Sequence, residues 1–300
     1  MRIVFLGTPD FSVTCLDALI ESKHDVVAVV TQPDKARNRM VVSFSPVKEE
    51  ALKHGIRVLQ YDKIRVQGVQ DLKDLNPDLM VTCAYGQIIS QEILDIPKYG
   101  VINVHASLLP KYRGSAPIQW AILNGEKETG ITIMQTALGV DSGDIILQEK
   151  IAIKENETAG ELFDDLAKIA PSVLMKAIDL IESGKATFTK QNDSEATHFP
   201  MLSKEDGHIN WNEDGQKIIN KIYGLNPWPS AYSMLDGKIF KIYKAKFIEA
   251  NSSEFGKILD NKVSCKGGYI ELQEVQIEGK KKMDISEFMR GFDLNGKVLN

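Results

Sequence analysis

The chain has 300 residues, enough for two ordinary domains, or one large one, with a hydrophobic core. Apolar residues make up 43% and charged residues 26%, which is typical of a soluble globular protein. The net charge of −5 excludes an overall positive field that would attract nucleic acid, so a nucleic-acid site would have to be a local basic patch.

The cysteines and the N-terminal residues bear on the compartment. Cys15, Cys83 and Cys265 are far apart and odd in number, so they build neither a disulfide framework nor a CxxC metal site. We predict three small buried side chains in a reducing cytosol, and no metal. Residues 1–7 predict a first β-strand rather than a signal peptide, and no apolar stretch approaches membrane-spanning length. The sequence therefore predicts a cytoplasmic protein.

The first half of the chain alternates strand-like and helix-like segments. Apolar or β-branched runs predict strands at 2–6, 25–31, 58–60, 79–84 and 100–105. Helical spacing predicts a helix over 11–21, and Ser45 with Pro46 forms an N-cap and first-turn pair for a helix through Lys53. This alternation predicts an α/β fold with a doubly wound, mainly parallel sheet, helices on both faces and ligands at the carboxyl ends of the strands.

A dinucleotide is the usual ligand of such a fold, but the first turn argues against it. The turn reads Gly7-Thr8-Pro9-Asp10-Phe11 and lacks the later glycines of the GxGxxG motif. Pro9 also removes a backbone donor that could hold phosphate. We therefore predict no NAD.

The second half of the chain changes character after a long helix. Thr158 and Glu161 predict a capping box for a helix that reaches about Ser183 and is interrupted or restarted at Pro171. Residues 190–200 are polar and lack periodicity, which is typical of a linker. Short strand-like pieces at 238–247, 257–259 and 269–275, preceded by a helix near 216–223, predict a small β-barrel of OB type. We predict an α/β domain at 1–189, a linker at 190–204 and an OB-like domain at 205–300.

Three polar residues are candidates for the chemistry. Asn103 and His105 alternate at the end of a predicted strand, so both side chains lie on one face and point into the ligand crevice. Asp141 lies on a glycine-flanked loop. These residue types suit acyl transfer to an amine: Asn103 and His105 can stabilise an oxyanion, and Asp141 can hold His105 charged or accept the amine's proton. Taken singly, each has a commoner explanation as a core histidine or a turn residue.

Taken together, the segments GTPDF, NVHASLLPKYRG and GVDSGDI resemble the 10-formyltetrahydrofolate-dependent formyltransferases. The resemblance implies that Asn103, His105 and Asp141 are the catalytic trio and that 10-formyltetrahydrofolate is the co-substrate. It implies that one turn binds the folate, namely Ser107, Leu108, Leu109 and Pro110. It also implies that the backbone of a second loop meets the pterin ring, namely Ala84, Tyr85, Gly86, Gln87 and Ile88.

A further likeness concerns the formyl acceptor. The segment from TQPD to SPVK is similar to that of family members that formylate methionine on initiator Met-tRNA, in which the intervening loop is inserted, basic and meets the acceptor stem. Here this loop carries Lys35, Arg37 and Arg39 and is less rich in glycine and lysine. The likeness continues through LSK, INW and LNPWP, so it covers nearly the whole chain.

The charges of the predicted C-terminal domain also indicate whether tRNA is a partner. It contains the run Lys280, Lys281 and Lys282, and in the tRNA-acting members this domain offers a positive surface to tRNA phosphates. Residues 205–300 hold 14 basic and 14 acidic residues, so the net charge of −5 lies wholly before residue 205. The resemblance thus implies initiator Met-tRNA and tetrahydrofolate as partners, and we expect a monomer.

Other acceptors fit the same trio. A sugar-nucleotide N-formyltransferase would share the three residues but should lack the basic inserted loop. A formyltetrahydrofolate hydrolase would use water in place of the amine, and a glycinamide ribonucleotide formyltransferase resembles the first domain alone. A non-enzymatic folate-binding module with an RNA-binding tail would require the trio to be incidental.

Overall fold

A computed structural model describes residues 1–37 and 41–300 of the chain. These residues group into two compact units, each built from segments that are not contiguous in sequence. The first unit comprises Met1–Gly114, Thr129–Ile151 and Phe163–His198, and the second comprises Ser115–Glu128, Ala152–Leu162 and Phe199–Asn300. The division of the chain at 189 and 205 stays a prediction.

The elements are numbered in chain order over the described ranges. The strands are β1 (Arg2–Gly7), β2 (Asp25–Thr31), β3 (Lys35–Arg37), β4 (Val41–Ser43), β5 (Val58–Gln60), β6 (Leu79–Cys83), β7 (Val101–His105), β8 (Arg113–Gly114), β9 (Glu128–Gln135), β10 (Ile145–Ala152), β11 (His198–Phe199), β12 (Ala231–Leu235), β13 (Lys238–Glu249), β14 (Ile258–Leu259), β15 (Lys262–Cys265), β16 (Gly268–Ile277) and β17 (Met283–Asp284). The α-helices are α1 (Asp10–Ile20), α2 (Pro46–Lys53), α3 (Ile64–Gln67), α4 (Val69–Leu75), α5 (Gln91–Leu94), α6 (Pro117–Leu123), α7 (Ala159–Glu182), α8 (Gly215–Gly224) and α9 (Ile285–Gly291). Two 3₁₀ turns lie at Asp193–Glu195 and Glu205–Gly207.

The first sheet has the order β10-β9-β7-β6-β1-β2-β5 among the described strands. The pairs from β7 through β6, β1 and β2 to β5 are parallel, and β7 pairs with β9 antiparallel. The apolar side chains of β1 and β6 are fully buried, as expected for strands covered on both faces. The predicted mainly parallel α/β sheet is confirmed. Because the chain runs from β1 to β2 and β5 and then crosses to β6, the order reverses between β1 and β6, where such sheets bind ligands.

Local capping signals set the helix starts. Helix α2 begins at Pro46 and ends at Lys53 as predicted, and the Ser45 hydroxyl accepts a hydrogen bond from the Lys48 N–H. The capping box is also present, because the Thr158 N–H donates to Glu161 Oε2 at 2.9 Å and the Glu161 N–H donates to Thr158 Oγ1 at 3.1 Å. These predictions rest on contacts within one turn of chain, which the sequence specifies directly.

The predicted interruption at Pro171 is wrong, since α7 runs without a break from Ala159 to Glu182. A proline inside a helix costs about 3 kcal/mol because its N–H is missing and its ring crowds the preceding turn. Burying one leucine side chain contributes roughly 1.5–3 kcal/mol. Leu166, Leu174 and Ile178 are all fully buried on this helix. Tertiary packing therefore outweighs the local cost of Pro171.

The second unit contains an antiparallel sheet in the order β12-β13-β16-β15-β14, with β17 paired to β16. Helix α8 lies against this sheet, and the Tyr223 hydroxyl donates to the Ala245 carbonyl at 3.0 Å. The C-terminal domain predicted as an OB-like barrel contains an antiparallel sheet, and the helix predicted near 216–223 precedes this sheet. Helix α9 was not predicted from the sequence.

The three cysteines agree with a further expectation. Cys15, Cys83 and Cys265 are free and buried. A hydrogen bond to Cys83, followed by burial, raises the pKa of the Cys15 thiol well above its ordinary value, so this side chain is a neutral packing group. Within residues 1–37 and 41–300, no helix combines the length and the apolar character needed to cross a membrane.

Candidate functional site

Asn103 lies on β7 beside Thr82 of the parallel strand β6. The Thr82 hydroxyl, buried in the sheet, lies 2.9 Å from Asn103 Oδ1 and 3.2 Å from the Ile102 carbonyl oxygen. When its one hydrogen is donated to Oδ1, the shorter of the two contacts, Nδ2 is the atom that Asn103 can offer to a ligand. Thr82 was not singled out in the sequence, although a threonine within the apolar run LMVTC next to the catalytic strand is the signal that would have found it.

His105 lies at the end of β7 and is 7% exposed. Its Nε2 is 2.8 Å from the Tyr112 carbonyl oxygen, and because a carbonyl can only accept, Nε2 carries the hydrogen. Nδ1 lies 3.7 Å from Asp141 Oδ2. In the neutral ring Nδ1 therefore faces the carboxylate with a lone pair, and a proton added there completes an ion pair with Asp141.

Asp141 lies on the loop between β9 and β10, with φ of +48°, a left-handed conformation that is uncommon for a residue with a Cβ. Its Oδ2 accepts a hydrogen bond from the Gly114 N–H at 2.8 Å. Two residues on, a Cβ on Gly143 would lie 1.7 Å from the Gln135 carbonyl oxygen, so only glycine fits there. The loop is thus packed tightly against the end of β9.

Gln191 and Arg113 form a buried support for this loop. Gln191 Oε1 accepts from Arg113 Nε at 3.0 Å and from Arg113 Nη2 at 2.8 Å. Gln191 Nε2 donates to the carbonyl oxygens of Asp141 at 2.9 Å and Gly143 at 2.7 Å. Arg113 Nη2 also donates to Asp193 Oδ1 at 2.8 Å. No sequence signal pointed to Gln191, because it falls in the polar stretch predicted to be a linker and lacks any periodic pattern.

The loop predicted to meet a pterin ring follows β6 directly. Ala84 and Gly86 have positive φ angles of 47° and 82°. The Tyr85 carbonyl accepts from Gln32 Nε2 at 2.9 Å, and burial raises the pKa of the Tyr85 hydroxyl well above its ordinary value, so this group is neutral. Gln87 Nε2 donates to the Tyr61 carbonyl at 2.7 Å. Ile88 projects outward and is 68% exposed.

The turn predicted to bind folate is tied to its neighbours by hydrogen bonds. The Ser107 hydroxyl donates to the Lys111 carbonyl at 2.8 Å, so it closes the turn itself. Thr132 Oγ1 donates to the Ser107 carbonyl at 2.6 Å and accepts from the Leu109 N–H at 3.2 Å. Ser107 and Leu109 are buried, whereas Leu108 and Pro110 are half-buried and can contact a ligand.

A cavity of about 500 Å³ lies where β7 begins and β9 ends. Its lining consists of Gln91, Leu94, Asp95, Gly100, Val101, Gln135, Thr136, Ala137, Leu138 and Gly139. None of the residues predicted to contact folate lines it. However, Gly139 is two residues from Asp141, so the loop that carries the carboxylate also forms a wall of the cavity. Leu138 and Val140 of this loop are each 65% exposed, which leaves apolar surface beside the opening.

The predicted tRNA-binding cations lie in two places. Lys35 and Arg37 are on β3, which pairs antiparallel with β4, and Arg39 lies outside the described residues. Lys280, Lys281 and Lys282 are exposed between β16 and β17. Lys282 Nζ is 3.0 Å from Glu274 Oε2, so its charge is partly neutralised.

Three residues of types that can bind a metal ion lie close together elsewhere among the described residues, namely His24, Asp179 and Glu182. Lys23 Nζ lies 2.6 Å from Glu182 Oε2, and the Met1 amino group lies 3.2 Å from His24 Nδ1. Burial and the Met1 ammonium lower the pKa of His24. Cations of the chain itself therefore occupy this cluster, and nothing in it points to a metal ion.

Two family descriptions match this chain. Residues 1–178 match formyl transferase, and residues 201–293 match formyl transferase, C-terminal domain. A protein of Caldanaerobacter subterraneus subsp. tengcongensis named methionyl-tRNA formyltransferase is 49% identical over 100% of both chains. Proteins of the same name from Agathobacter rectalis and Clostridium acetobutylicum are 48% and 46% identical, covering 97% and 100% of this chain and 96% and 99% of their own.

Solved structures show the same fold at lower identity. An N-formyltransferase from Helicobacter canadensis, in complex with folinic acid and dTDP-3-aminofucose, has a TM-score of 0.71 at 21% identity, covering 94% of this chain and 100% of its own. Glycinamide ribonucleotide transformylase 1 from Symbiobacterium toebii has a TM-score of 0.55 at 22% identity, covering 64% and 94%. The likeness in sequence over the full length confirms the family that the motifs implied. The chain belongs to the formyl transferase family and is an enzyme with both the N-terminal and the C-terminal domain of that family.

Proposed function

We propose that this enzyme transfers a formyl group from 10-formyltetrahydrofolate to the amino group of methionine on initiator Met-tRNA. The observation that carries the chemistry is the geometry of His105, which lies two residues after Asn103 on β7 and whose Nδ1 faces Asp141 Oδ2 at 3.7 Å. The observation that supports the acceptor is the full-length identity of 45–49% to proteins named methionyl-tRNA formyltransferase. We further propose that the enzyme acts as a monomer in the cytoplasm.

The residues account for each step of the transfer. The amine nitrogen attacks the formyl carbon, a C–N bond forms and the formyl oxygen becomes an oxyanion. Asn103 Nδ2 stabilises this oxyanion by donating a hydrogen bond, and a positive charge on the His105 ring stabilises it electrostatically. Asp141 accepts the proton that the attacking nitrogen loses, directly or through water. The oxyanion then collapses, the bond from carbon to folate N10 breaks, and N10 takes up a proton as tetrahydrofolate leaves.

The folate would lie along the first unit. Its formyl group would meet Asn103 and His105, with Leu108 and Pro110 contacting one side. The flat ring would meet the backbone of the loop at 84–88, which follows β6 at the same edge of the sheet as the end of β7. A structure with a bound folate analogue tests this placement. An analogue bound against the sheet of the second unit would contradict it.

The acceptor would be recognised mainly through charge. Lys35, Arg37 and Arg39 come directly after β2, whose carboxyl end lies at the same edge of the sheet as that of β7. A loop that follows β2 could meet an RNA end while the methionine enters the crevice. Lys280–Lys282 would neutralise phosphates, which adds affinity without sequence information.

The decisive assay compares acceptors with the purified enzyme and 10-formyltetrahydrofolate. We expect rapid formylation of charged initiator Met-tRNA and much slower formylation of charged elongator Met-tRNA. Sugar nucleotides bearing an amino group should remain unformylated, and release of formate without an acceptor should be slow. Formylation of an amino sugar in place of Met-tRNA would move the assignment to a sugar-nucleotide enzyme. Rapid release of formate in the absence of any amine would identify a hydrolase.

A further inference from the structure

We propose that Gln191 is a positioning residue for formyl transfer. Its side-chain amide holds the loop of Asp141 in the conformation that presents the carboxylate to His105. This inference rests on the catalytic role proposed above for Asp141. It assigns a function in catalysis to a residue 50 positions further along the chain.

The orientation of the Gln191 amide is fixed by Arg113. A guanidinium has donors and no acceptor, so Oε1 must face Arg113 and Nε2 must face the loop. The four hydrogen bonds occupy both lone pairs of Oε1 and both hydrogens of Nε2. Gln191 and Arg113 are 6% and 4% exposed, so water does not readily replace a missing partner. The amide can therefore neither flip nor lose a partner without leaving buried polar groups unpaired.

The loop needs this support because its conformation is unfavourable. A residue other than glycine is strained in the left-handed region and persists there only where its surroundings hold it. Asp141 is such a residue, and Gln191 Nε2 binds its carbonyl oxygen and that of Gly143, one on each side of Ser142. Removing these two buried hydrogen bonds should therefore let the loop relax.

A relaxed loop would move the carboxylate away from His105. The Asp141 side chain has a second tie, the hydrogen bond from the Gly114 N–H. Gly114 follows Arg113, which binds Gln191, so both ties depend on the same buried pair. Displacement of a catalytic group by about 1 Å is enough to lower a rate about a hundredfold.

The sharpest probe is Gln191→Glu. A glutamate keeps an oxygen for Arg113, and thus the packing of the guanidinium, but turns the other oxygen towards the carbonyls of Asp141 and Gly143. Gln191→Met also removes both hydrogen-bond donors to the loop, and it adds no charge. It is the alternative variant if the glutamate variant does not fold. Gln67→Glu is the matched control, because it makes the same change on an exposed side chain that only accepts a hydrogen bond, from the Lys63 N–H.

Steady-state formylation of Met-tRNA should be measured at a temperature at which every variant is folded. We expect Gln191→Glu or Gln191→Met to lower kcat by about tenfold or more while KM for 10-formyltetrahydrofolate changes by less than about threefold, and Gln67→Glu to behave like the wild type. In an Asp141→Asn background, the same substitution of Gln191 should lower kcat by less than about threefold. The reason is that substitutions of residues that act as a unit do not have additive effects.

The results that would overturn this inference differ from those that would overturn the proposed site. If the Gln191 variants keep kcat within about twofold of the wild type, Gln191 stabilises the fold and does not act through Asp141. The same conclusion follows if a Gln191 substitution lowers kcat by the same factor in the wild-type enzyme and in the Asp141→Asn variant. If Asp141→Asn itself turns over at a near-wild-type rate, the proposed site is wrong, and the role of Gln191 fails with it.

Discussion

Asp141→Asn tests the ion pair on which the proposed mechanism depends. The substitution removes the negative charge and keeps the side-chain shape, so the amide oxygen can still accept from the Gly114 N–H. Two unit charges 3.7 Å apart interact by about 4–5 kcal/mol at an effective dielectric constant of about 20. The His105 and Asp141 side chains are 8% and 16% exposed, so solvent screens only part of this interaction. A hundredfold loss of rate requires about 2.7 kcal/mol. We therefore expect kcat to fall by about two orders of magnitude.

The assay is single-turnover formylation of Met-tRNA with enzyme in excess, which isolates the chemical step from product release. Thermal unfolding should show that the variant keeps its fold. Asp74→Asn is the control, since it makes the same change on an exposed carboxylate of α4 that accepts from Gln70 Nε2. If Asp141→Asn keeps more than about a third of the wild-type rate, the interaction between Asp141 and His105 does not drive catalysis, and the reasoning is refuted.

Three further predictions concern the rest of the site and the acceptor. Asn103→Ala and His105→Ala should each lower kcat by about two orders of magnitude in the same assay without loss of folding, and near-wild-type rates would place the active site elsewhere. Replacing Arg37 and Arg39 by alanine should lower kcat/KM for Met-tRNA and leave folate binding unchanged, measured by titration with a folate analogue. Replacing Lys280–Lys282 by alanine should weaken tRNA binding and make it less dependent on salt, by up to about one logarithmic unit of slope for each phosphate that is no longer neutralised. Lys282 should contribute least to this change, because Glu274 already pairs with it.

Elements with a strong local pattern were predictable from the sequence. β2 and β5 have the predicted bounds, because their β-branched and apolar residues fit strands of a buried sheet. Helix α2 starts where Ser45 caps it. The positions of Asn103 and His105 on one face of β7 follow from the two-residue repeat of a strand. Each of these depends on residues that are close in sequence.

Features that depend on distant residues were not predictable in the same way. Pro171 lies inside a continuous helix because buried contacts from outside that helix decide its course. The pair β3 and β4 and the short helix α9 have too few residues to show a period. Gln191 meets Arg113 across 78 positions of sequence, and a single glutamine in a polar stretch looks like any solvated side chain until its partners are known.

The same distinction separates the identity of the catalytic groups from their orientation. The residue types Asn, His and Asp specify what chemistry is available, and they can be read from one strand and one loop. Their orientation comes from partners elsewhere: the Thr82 hydroxyl lies within hydrogen-bonding distance of Asn103 Oδ1, the Tyr112 carbonyl fixes the hydrogen of His105 on Nε2, and the Gln191 amide holds the Asp141 backbone. Since a catalytic donor acts through its direction as much as its type, these supporting groups should matter for rate even though they do not touch the substrate.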